Sequence, residues 1–524
     1  MPLSNINSPG VYIDEINAFP NSIVPVATAV PAFIGYTPQA SYEGKSYLNK
    51  AQKITSFNEF KAIYCLPDPP APTSPSQQYS PQYYFEKVSE QPENAEYIII
   101  GNDYYVIVPD PNSIYYLYNS VKLFYENGGG EAYIVSVGTY GSESNKPINI
   151  KDQIVNSNVK LNDLLNGLEL LKKEQEPTMY ICPEATLLSI DNNGTLMQEM
   201  LLQCSQMQTA ISVFDVIGGR NPDPHLYAED IETFRINTGL RGLSYGAAYY
   251  PFIGTTIMQS DDLDYINFFG GDIKQLKSFI AKAEVNNPTL DKLFASFNAS
   301  NSEMTKAQLN NALLNLSKTY SQMMKLALSE SNLLPPSGGM AGVMATNDSN
   351  KGVWNAPANT SIVGACSLPI HISSSQQADL NVDAVSGKSI NAIRSFSGMG
   401  ILIWGARSLD GNSQDWRYVN VRRTMTFIEQ SCRAAISSYV FQPNDANTWK
   451  ATKSMIENFL TTIWKEGGLQ GGSASDAFYV ACGLGSTMTS DDILNGIMRV
   501  SIKVAVVHPA EFIVLTLEQE MAKS

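Results

Sequence analysis

The chain has 524 residues, which is too many for one hydrophobic core and predicts two to four domains. Its residues are 44% hydrophobic and 16% charged, a composition typical of folded rather than disordered protein. The net charge of −15 argues against nucleic acid as a partner, because phosphate binding needs a basic surface. Residues 1–5 show no start of a secretion signal, and no run reaches the roughly 18 apolar residues of a membrane span. We therefore expect synthesis in the cytoplasm without a signal peptide, and no membrane insertion.

The charge is distributed unevenly along the chain. Residues 394–524 contain twelve Lys/Arg and twelve Asp/Glu, so the whole negative charge lies before Arg394. A neutral, locally basic C-terminal part beside an acidic remainder indicates different partners for the two parts. No two cysteines lie within five residues of each other, so there is no Cys-x-x-Cys pair and buried free thiols are expected. The cysteines are Cys65, Cys182, Cys204, Cys366, Cys432 and Cys482.

The first twenty residues are predicted to form an arm. Ser8-Pro9-Gly10 is a turn signal, and residues 11–16 form a short strand in which Val11 and Ile13 share a face. An isolated terminal strand needs a pairing partner to be stable. Residues 32–36 are apolar and predict a buried strand, whereas the six prolines of residues 67–83 predict an extended surface segment.

Residues 113–217 alternate between helix and strand patterns. The predicted helices are 113–127, ending at three consecutive glycines, then 161–173 and 196–209. The predicted strands are 132–137, 179–182 and 210–217. This rhythm is typical of an α/β domain with a largely parallel sheet.

Residues 272–331 have a helical pattern and are predicted to be an inserted helical hairpin that ends before Pro335-Pro336. Apolar residues recur there at the spacing of one continuous helical stripe, which we interpret as packed core rather than a partner groove. The stripe consists of Leu309, Leu313, Leu316, Tyr320, Met323 and Ala327.

The last 130 residues are predicted to form a separate α+β unit. Amphipathic helices cover 421–439 and 449–464, the second with Thr448 as its N-cap and Gly467-Gly468 after its end. Two apolar strands follow, at 500–507 and 511–517. Strands at both chain ends invite exchange between neighbouring copies.

Motifs for catalysis and ligand binding are weak. Gly242-Leu243-Ser244-Tyr245-Gly246 has the Gly-x-Ser-x-Gly pattern, but a helix pattern precedes it and a strand pattern follows, which is the reverse of a nucleophile elbow. Gly387-Lys388-Ser389 lacks the first glycine of a phosphate-binding loop. With three scattered histidines we expect no catalytic residue, no cofactor and no metal site, and a hydrolase using Ser244 is a remote alternative.

Ordered blocks along the chain resemble one known family, the contractile tail sheath proteins. The N-terminal blocks are residues 8–16 and 28–36, and Phe124-Tyr125-Glu126-Asn127 before the three glycines follows them. The middle blocks are residues 334–342 and 351–359. The C-terminal blocks are 404–407, 418–423, 441–445 and 508–512. Residues 38–112 and 272–331 match poorly.

The resemblance implies a multidomain α/β and α+β fold with four parts. These are an N-terminal arm (1–20), an α/β core (21–365) with inserts at about 38–112 and 272–331, a C-terminal α+β domain facing an inner tube (366–503), and a C-terminal strand arm (504–524). It also implies stacked hexameric rings around that tube, which contract to drive the tube through a target envelope in a particle released from the cell. The implied partners are further copies of the chain, the tube protein, and baseplate and terminal cap proteins.

The interface residues expected from this resemblance fall into two groups. Strand exchange between subunits would use Val11, Tyr12, Ile13, Ile16, Phe512 and Val514. Contact with the tube would use the basic residues Arg422, Arg433, Lys450 and Lys453, whose alternative is a solvated helix surface. An extracellular injection system is favoured over a phage tail or R-type bacteriocin, and a minor sheath paralogue stays open.

Overall fold

The structure is a computed structural model that describes residues 22–66, 81–92, 96–150, 152–285, 287–297 and 304–512. Contacts divide the chain into a core unit, Ala27–Arg423, and a terminal unit, Met1–Val26 with Thr424–Ser524. The strands in the described residues are β1 Pro31–Thr37, β2 Ser41–Tyr42, β3 Lys45–Ser46, β4 Ala51–Ile54, β5 Tyr83–Val88, β6 Tyr97–Ile100, β7 Asp103–Pro109, β8 Ala132–Thr139, β9 Met179–Ile181, β10 Ile211–Asp215, β11 Gly246–Tyr250, β12 Ile253–Thr255, β13 Leu333–Leu334, β14 Ala365–Ser367, β15 Asn391–Phe396, β16 Gly400–Ile403, β17 Phe478–Cys482 and β18 Val500–Val504.

The helices in the same residues are α1 Phe57–Tyr64, α2 Leu117–Glu126, α3 Leu161–Leu170, α4 Ile190–Met207, α5 Tyr227–Asn237, α6 Ile273–Ala283, α7 Pro288–Phe297, α8 Lys306–Leu316, α9 Lys318–Ser331, α10 Ser337–Lys351, α11 Ser374–Asn381, α12 Val419–Ile436, α13 Ala446–Lys465, α14 Ala474–Ala477 and α15 Ser490–Leu494. The predicted alternation of helix and strand over residues 113–217 is confirmed. Helix α4 starts six residues earlier than its sequence pattern indicated.

The core unit is built on an eight-stranded sheet with the order β16-β15-β11-β10-β9-β1-β8-β4. Its six inner strands are parallel, and the two outer strands, β16 and β4, run antiparallel to their neighbours. Every residue of β1 is buried, so helices cover both faces of the sheet. Helices α2 and α10 pack against each other and against the sheet, and α3, α4 and α5 form another packed group. The predicted α/β class with a largely parallel sheet is confirmed.

Residues 83–109 and 258–328 form one peripheral lobe that has its own hydrophobic core. The first insert was predicted to start at about residue 38, but β4 pairs with β8 in the central sheet and Phe60 of α1 is buried in the main core. The three-stranded antiparallel sheet β5-β7-β6 comes from the first insert and packs on helices from the second. The expected helical hairpin is wrong, because the described residues of the second insert form four helices, α6 to α9. The expected continuous stripe breaks at Ser317, and Leu316 is 42% exposed.

The described part of the terminal unit contains residues 424–436 of α12, helices α13, α14 and α15, and the antiparallel pair β17–β18. Phe427 of α12 and Phe459 of α13 pack with ring centroids 5.9 Å apart. The N-cap of α13 is Asp445 rather than Thr448, since its side chain accepts hydrogen bonds from the N–H groups of Asn447 and Thr448. Gly467, with φ 88°, follows the helix as expected.

The division into units differs from the one expected. The C-terminal domain was expected to start at residue 366, but residues 366–423 lie in the core unit. The reason is strand pairing: β15 pairs with β11 in the central sheet, and β14 pairs with β12. The boundary therefore lies between Arg423 and Thr424, inside α12.

Candidate functional site

The candidate arm residues are mostly outside the described part of the chain. Val11, Tyr12, Ile13, Ile16 and Val514 lie there, so their pairing stays a prediction. Phe512 is described and is 72% exposed.

The C-terminal arm expected from residue 504 cannot start there. Val504 ends β18, whose partner β17 belongs to the same chain. Ala505 donates to the carbonyl of Ala477 (2.9 Å) and accepts from the N–H of Gln470 (2.7 Å), and Val507 donates to the carbonyl of Gly468 (3.4 Å). Residues 504–507 are thus bound within the terminal unit, which limits an exchanging arm to residues after Val507.

Three of the four candidate tube contacts are accessible. Arg433 on α12 and Lys450 on α13 are exposed. The Lys453 side chain is 42% exposed and forms an ion pair with Glu457 one turn later, at 3.7 Å. An exposed i,i+4 pair of this kind contributes only a few tenths of a kcal/mol, so Lys453 remains available to a partner.

Arg422 is not part of an exposed polar side, which corrects the expectation that it contacts a tube. Its side chain is buried, at 4% exposure, inside the core unit. The guanidinium carbon lies 4.2 Å from the ring centroid of Trp416 and 4.5 Å from that of Tyr245. A helical wheel placed Arg422 beside polar neighbours, but two aromatic rings from other segments cover it and stabilise its charge by cation–π contact.

Exposed apolar side chains that sequence reasoning missed lie on two connecting segments of the terminal unit. The α12–α13 loop carries Val440 and Phe441, which are 60% and 103% exposed. The second segment, between β17 and β18, is joined to the first by a hydrogen bond from the Asn444 side-chain amide to the carbonyl of Ile497 (3.2 Å). We call the exposed apolar side chains of both segments the apolar tip, and they are Val440, Phe441, Leu484, Leu494 and Ile497.

Phe441 has an unusual backbone conformation at the apolar tip. Its φ is 70°, in the left-handed region that a side chain with a Cβ rarely adopts. Strain of this kind, of order 1 kcal/mol, recurs at functional positions. Phe441 thus combines full solvent exposure with a strained backbone. The available sequence signal was an aromatic residue two positions before a proline, between two predicted helices.

The terminal unit is less basic than the neutral, locally basic C-terminal part that the sequence indicated. Residues 424–512 contain six Lys/Arg and eight Asp/Glu. Several arginines that balance the charge of residues 394–524 belong to the core unit and are buried, namely Arg394, Arg407, Arg422 and Arg423. Any basic contact with a partner is therefore local to residues such as Arg433 and Lys450.

The catalytic and phosphate motifs do not form sites. Ser244 lies after helix α5 and before strand β11, the reverse order for a nucleophile elbow, as predicted. Lys388 is buried and its ammonium donates to the backbone carbonyl of Arg235, so it does not face a ligand. Within the described ranges no group of three or more His, Cys, Asp or Glu is placed to hold a metal ion. In the same ranges no helix is both long and apolar enough to span a membrane.

All six cysteines are free thiols, and Cys65, Cys182, Cys204 and Cys432 are buried. Burial raises the pKa of the Cys65, Cys204 and Cys432 thiols to about 12, which makes them poor nucleophiles. The expected buried thiols are confirmed at these four positions, whereas Cys366 is exposed.

Two buried carboxyl groups sit at the carboxyl ends of parallel strands. Glu184, just after β9, accepts from the N–H of Leu117 at 2.8 Å, and Asp215, at the end of β10, accepts from the N–H of Ser337 at 2.8 Å. Burial raises the pKa of Glu184 to about 8 and that of Asp215 to about 7. The Glu184 carboxyl caps the start of α2 and the Asp215 carboxyl caps the start of α10, so both groups stabilise the fold.

Comparisons with known proteins connect this geometry to one family. Residues 412–520 match the phage tail sheath C-terminal domain. A tail sheath protein of Vibrio phage KVP40 is 27% identical over 139 residues, which are 26% of this chain and 20% of the phage protein. That match therefore spans about a fifth of the phage protein's length.

Two solved structures match nearly the whole chain. A chain of the anti-feeding prophage baseplate is 24% identical, with a TM-score of 0.56, covering 98% of this chain and 99% of that one. A chain of the PVC extracellular contractile injection system, from its sheath complex in the contracted state, is 23% identical, with a TM-score of 0.55 and 98% of both chains covered. The chain has the tail sheath fold and a tail sheath C-terminal domain. The family resemblance expected from the sequence blocks is confirmed.

The matched range 412–520 starts in the core unit before α12 and includes every described residue after Arg423. Arg433, Lys450, Lys453 and the apolar tip therefore all lie inside the tail sheath C-terminal domain.

Proposed function

We propose that this protein is the sheath subunit of a contractile, phage-tail-like injection system. It polymerises as stacked hexameric rings around an inner tube and contracts to drive that tube through a target envelope. The observation that supports this best is a tail sheath C-terminal domain on a chain whose fold follows contractile sheath proteins over 98% of its length. The role needs no catalytic group, and Ser244 has the wrong element order for one.

The proposed partners are copies of the same chain, an inner tube protein, and baseplate and terminal cap proteins. The matched solved structures include both a baseplate and a sheath complex, which supports assembly of this kind. The proposed place of action is a particle outside the cell, by similarity to the extracellular injection system. Within the particle, Arg433, Lys450 and Lys453 are the proposed basic contacts with the tube.

Electron microscopy of the protein expressed alone, and then with its tube protein, tests the proposal. Hollow striated cylinders or stacked rings are the expected result. A monodisperse monomer under both conditions would contradict it. The amount of the protein in purified particles separates a main sheath subunit, which dominates a gel, from a minor paralogue, and encapsidated DNA would indicate a phage tail.

The N-terminal arm is proposed to add a strand to a neighbouring subunit. Four or five backbone hydrogen bonds at about 1 kcal/mol each, with burial of Val11 and Ile13 at roughly 1.5–3 kcal/mol each, would hold such a strand. Deletion of residues 1–20 is expected to leave a folded monomer but abolish ordered sheath, as measured by circular dichroism and electron microscopy. Recovery of ordered, contractile sheath from the deleted chain would refute strand exchange.

A further inference from the structure

The chain passes between the core and terminal units at two places. Inside the core unit, one buried side chain joins the two segments that lead to these crossings. The crossings are Val26/Ala27 and Arg423/Thr424. Arg423, in the first turns of α12, is 4% exposed, and its Nη2 donates to the backbone carbonyl of Thr28 at 3.0 Å. Thr28 lies two residues after the other crossing. One guanidinium therefore holds the two connecting segments together.

The same guanidinium forms a two-point ion pair with Asp348 on α10. Nη1 lies 2.9 Å from Oδ1 and Nη2 lies 2.5 Å from Oδ2. The Arg423 and Asp348 side chains are only 3% and 5% exposed. Helix α10 packs on α2 and on strands β9 and β10 of the central sheet, so the pair connects both segments to the centre of the core unit. Two parallel hydrogen bonds of this kind fix the orientation of the guanidinium relative to the carboxylate as well as the distance between them.

Each connecting segment has a second attachment within the core unit. Thr178 donates its hydroxyl to the carbonyl of Thr28 (2.9 Å) and accepts from the N–H of Val30 (2.9 Å). On α12, the Asn420 side-chain amide donates to the carbonyl of Trp354 (2.8 Å). A buried ion pair is not needed for stability alone, because well-packed apolar residues serve as well. Its position where both crossings meet indicates a different use.

We propose that Arg423, Asp348 and the carbonyl of Thr28 form a clamp that takes up tension between the two units during contraction. The inference rests on the proposed sheath function. A force on the terminal unit acts through both covalent connections, and the clamp transmits the force from both segments to α10. Without the clamp, the hydrogen bonds that attach residues 27–30 and the start of α12 to the core unit would break one after another.

Hydrogen–deuterium exchange of the full chain with Asp348→Asn tests the clamp directly. Asparagine keeps the shape but removes the charge that pairs with Arg423. The amides of Val30 and of residues 419–424 are expected to lose protection together, by at least tenfold, while strands β9 and β10 keep theirs. Glu330→Gln is the control, since it removes the charge that pairs with Arg220 in another ion pair of the core unit (2.7 Å), whose Arg220 and Glu330 side chains are 9% and 26% exposed. That variant is expected to leave both segments protected.

Asp348→Asn leaves the buried charge of Arg423 without its carboxylate, which could by itself cause misfolding. A double variant controls for this effect. Arg423→Met with Asp348→Leu removes both charges, and the same paired loss of protection is expected. Loss at one segment only, loss across the whole core unit, or no loss in either variant would overturn the clamp.

Contraction provides the functional measurement. Assembled particles of Asp348→Asn are expected to show at least threefold more fragmented sheaths after triggered contraction than those of Glu330→Gln. Equal fragmentation would overturn the role in tension. If the unaltered chain forms no sheath, the proposed function fails, whereas the exchange experiment still decides whether Arg423 joins the two segments.

Discussion

At the scale of single residues, the buried carboxyl of Glu184 beside the central sheet restricts which residue can stand at a neighbouring strand position. The Glu184 carboxyl is fully buried after β9, and its Oε1 accepts hydrogen bonds from the first N–H groups of α2. A Cβ at Gly35 of β1 would lie 2.2 Å from Glu184 Oε2. Glycine is required at this strand position because the carboxyl fills the space of a side chain. No periodicity in the sequence signals such a constraint.

Glu184→Gln is expected to change how stability depends on pH. The folded-state pKa of about 8 is above the ordinary value near 4.5, so the folded chain keeps a proton that unfolding releases. This group's contribution to the free energy of unfolding is therefore full below pH 4.5. It declines as pH rises toward 8, by up to about 1.4 kcal/mol per pH unit. Glutamine can still accept the helix N–H bonds and should remove this decline.

Denaturant unfolding of the unaltered and Glu184→Gln chains from pH 5 to 8 measures the effect. The variant should gain stability relative to the unaltered chain as pH rises. Glu199→Gln on the exposed side of α4 is the control and should follow the unaltered chain at every pH. Parallel curves for Glu184→Gln would show that Glu184 is ionised in the folded protein.

At the scale of elements, the helical insert shows how capping overrides periodicity. The apolar stripe from Leu309 to Ala327 is compatible with one long helix, yet the helix is interrupted at Ser317. Ser317 accepts from the N–H of Tyr320 at 3.0 Å, and Glu284 accepts from the Ser317 hydroxyl at 2.8 Å and from the N–H of Thr319 at 2.9 Å. These polar groups satisfy the start of α9, so two packed helices replace one straight helix.

The break predicts different costs for two leucines of the same stripe. Leu313 is fully buried in the peripheral lobe, so Leu313→Ala should cost about 2–5 kcal/mol through lost contacts and a cavity. Leu316 is 42% exposed, and Leu316→Ala should change stability by about 0.5 kcal/mol or less. Urea unfolding of the two variants gives the comparison. Equal costs would mean that the stripe is continuous after all.

At the scale of the whole molecule, assembly depends on surfaces that a single chain leaves exposed. The apolar tip is such a surface, with Phe441 fully exposed and Leu494 84% exposed. Burial of one large apolar side chain contributes roughly 1.5–3 kcal/mol, which is about tenfold or more in an association constant.

Phe441→Gly and Phe441→Ala are expected to separate strain from contact. Glycine relieves the positive φ and should stabilise the monomer by about 1 kcal/mol, whereas alanine keeps the strain. Both should raise the protein concentration needed for sheath formation by about tenfold or more, because both lose the ring. Phe441→Leu keeps an apolar side chain and should assemble nearly normally. Light scattering and sedimentation measure assembly, and unchanged assembly in all three variants would exclude the apolar tip from the interface.

The candidate site was only partly predictable. The sequence indicated Arg433, Lys450 and Lys453 correctly as accessible basic residues, because exposed faces of amphipathic helices follow from the 3.6-residue period. It misplaced Arg422, since the wheel describes one helix and not the rings of Trp416 and Tyr245 that cover it. It missed Phe441, whose exposure and backbone strain depend on how two loops are held.

The sequence by itself determined the alternation of helices and strands over residues 113–217, the parallel α/β core and the family resemblance, because periodicity, caps and short motifs are local. The tertiary structure alone decided that two inserts share one peripheral lobe and that the units divide inside α12. It alone brought Arg423 to Thr28 across 395 positions of the chain. Such features depend on contacts between residues far apart in sequence, and local patterns carry no information about which distant groups will meet.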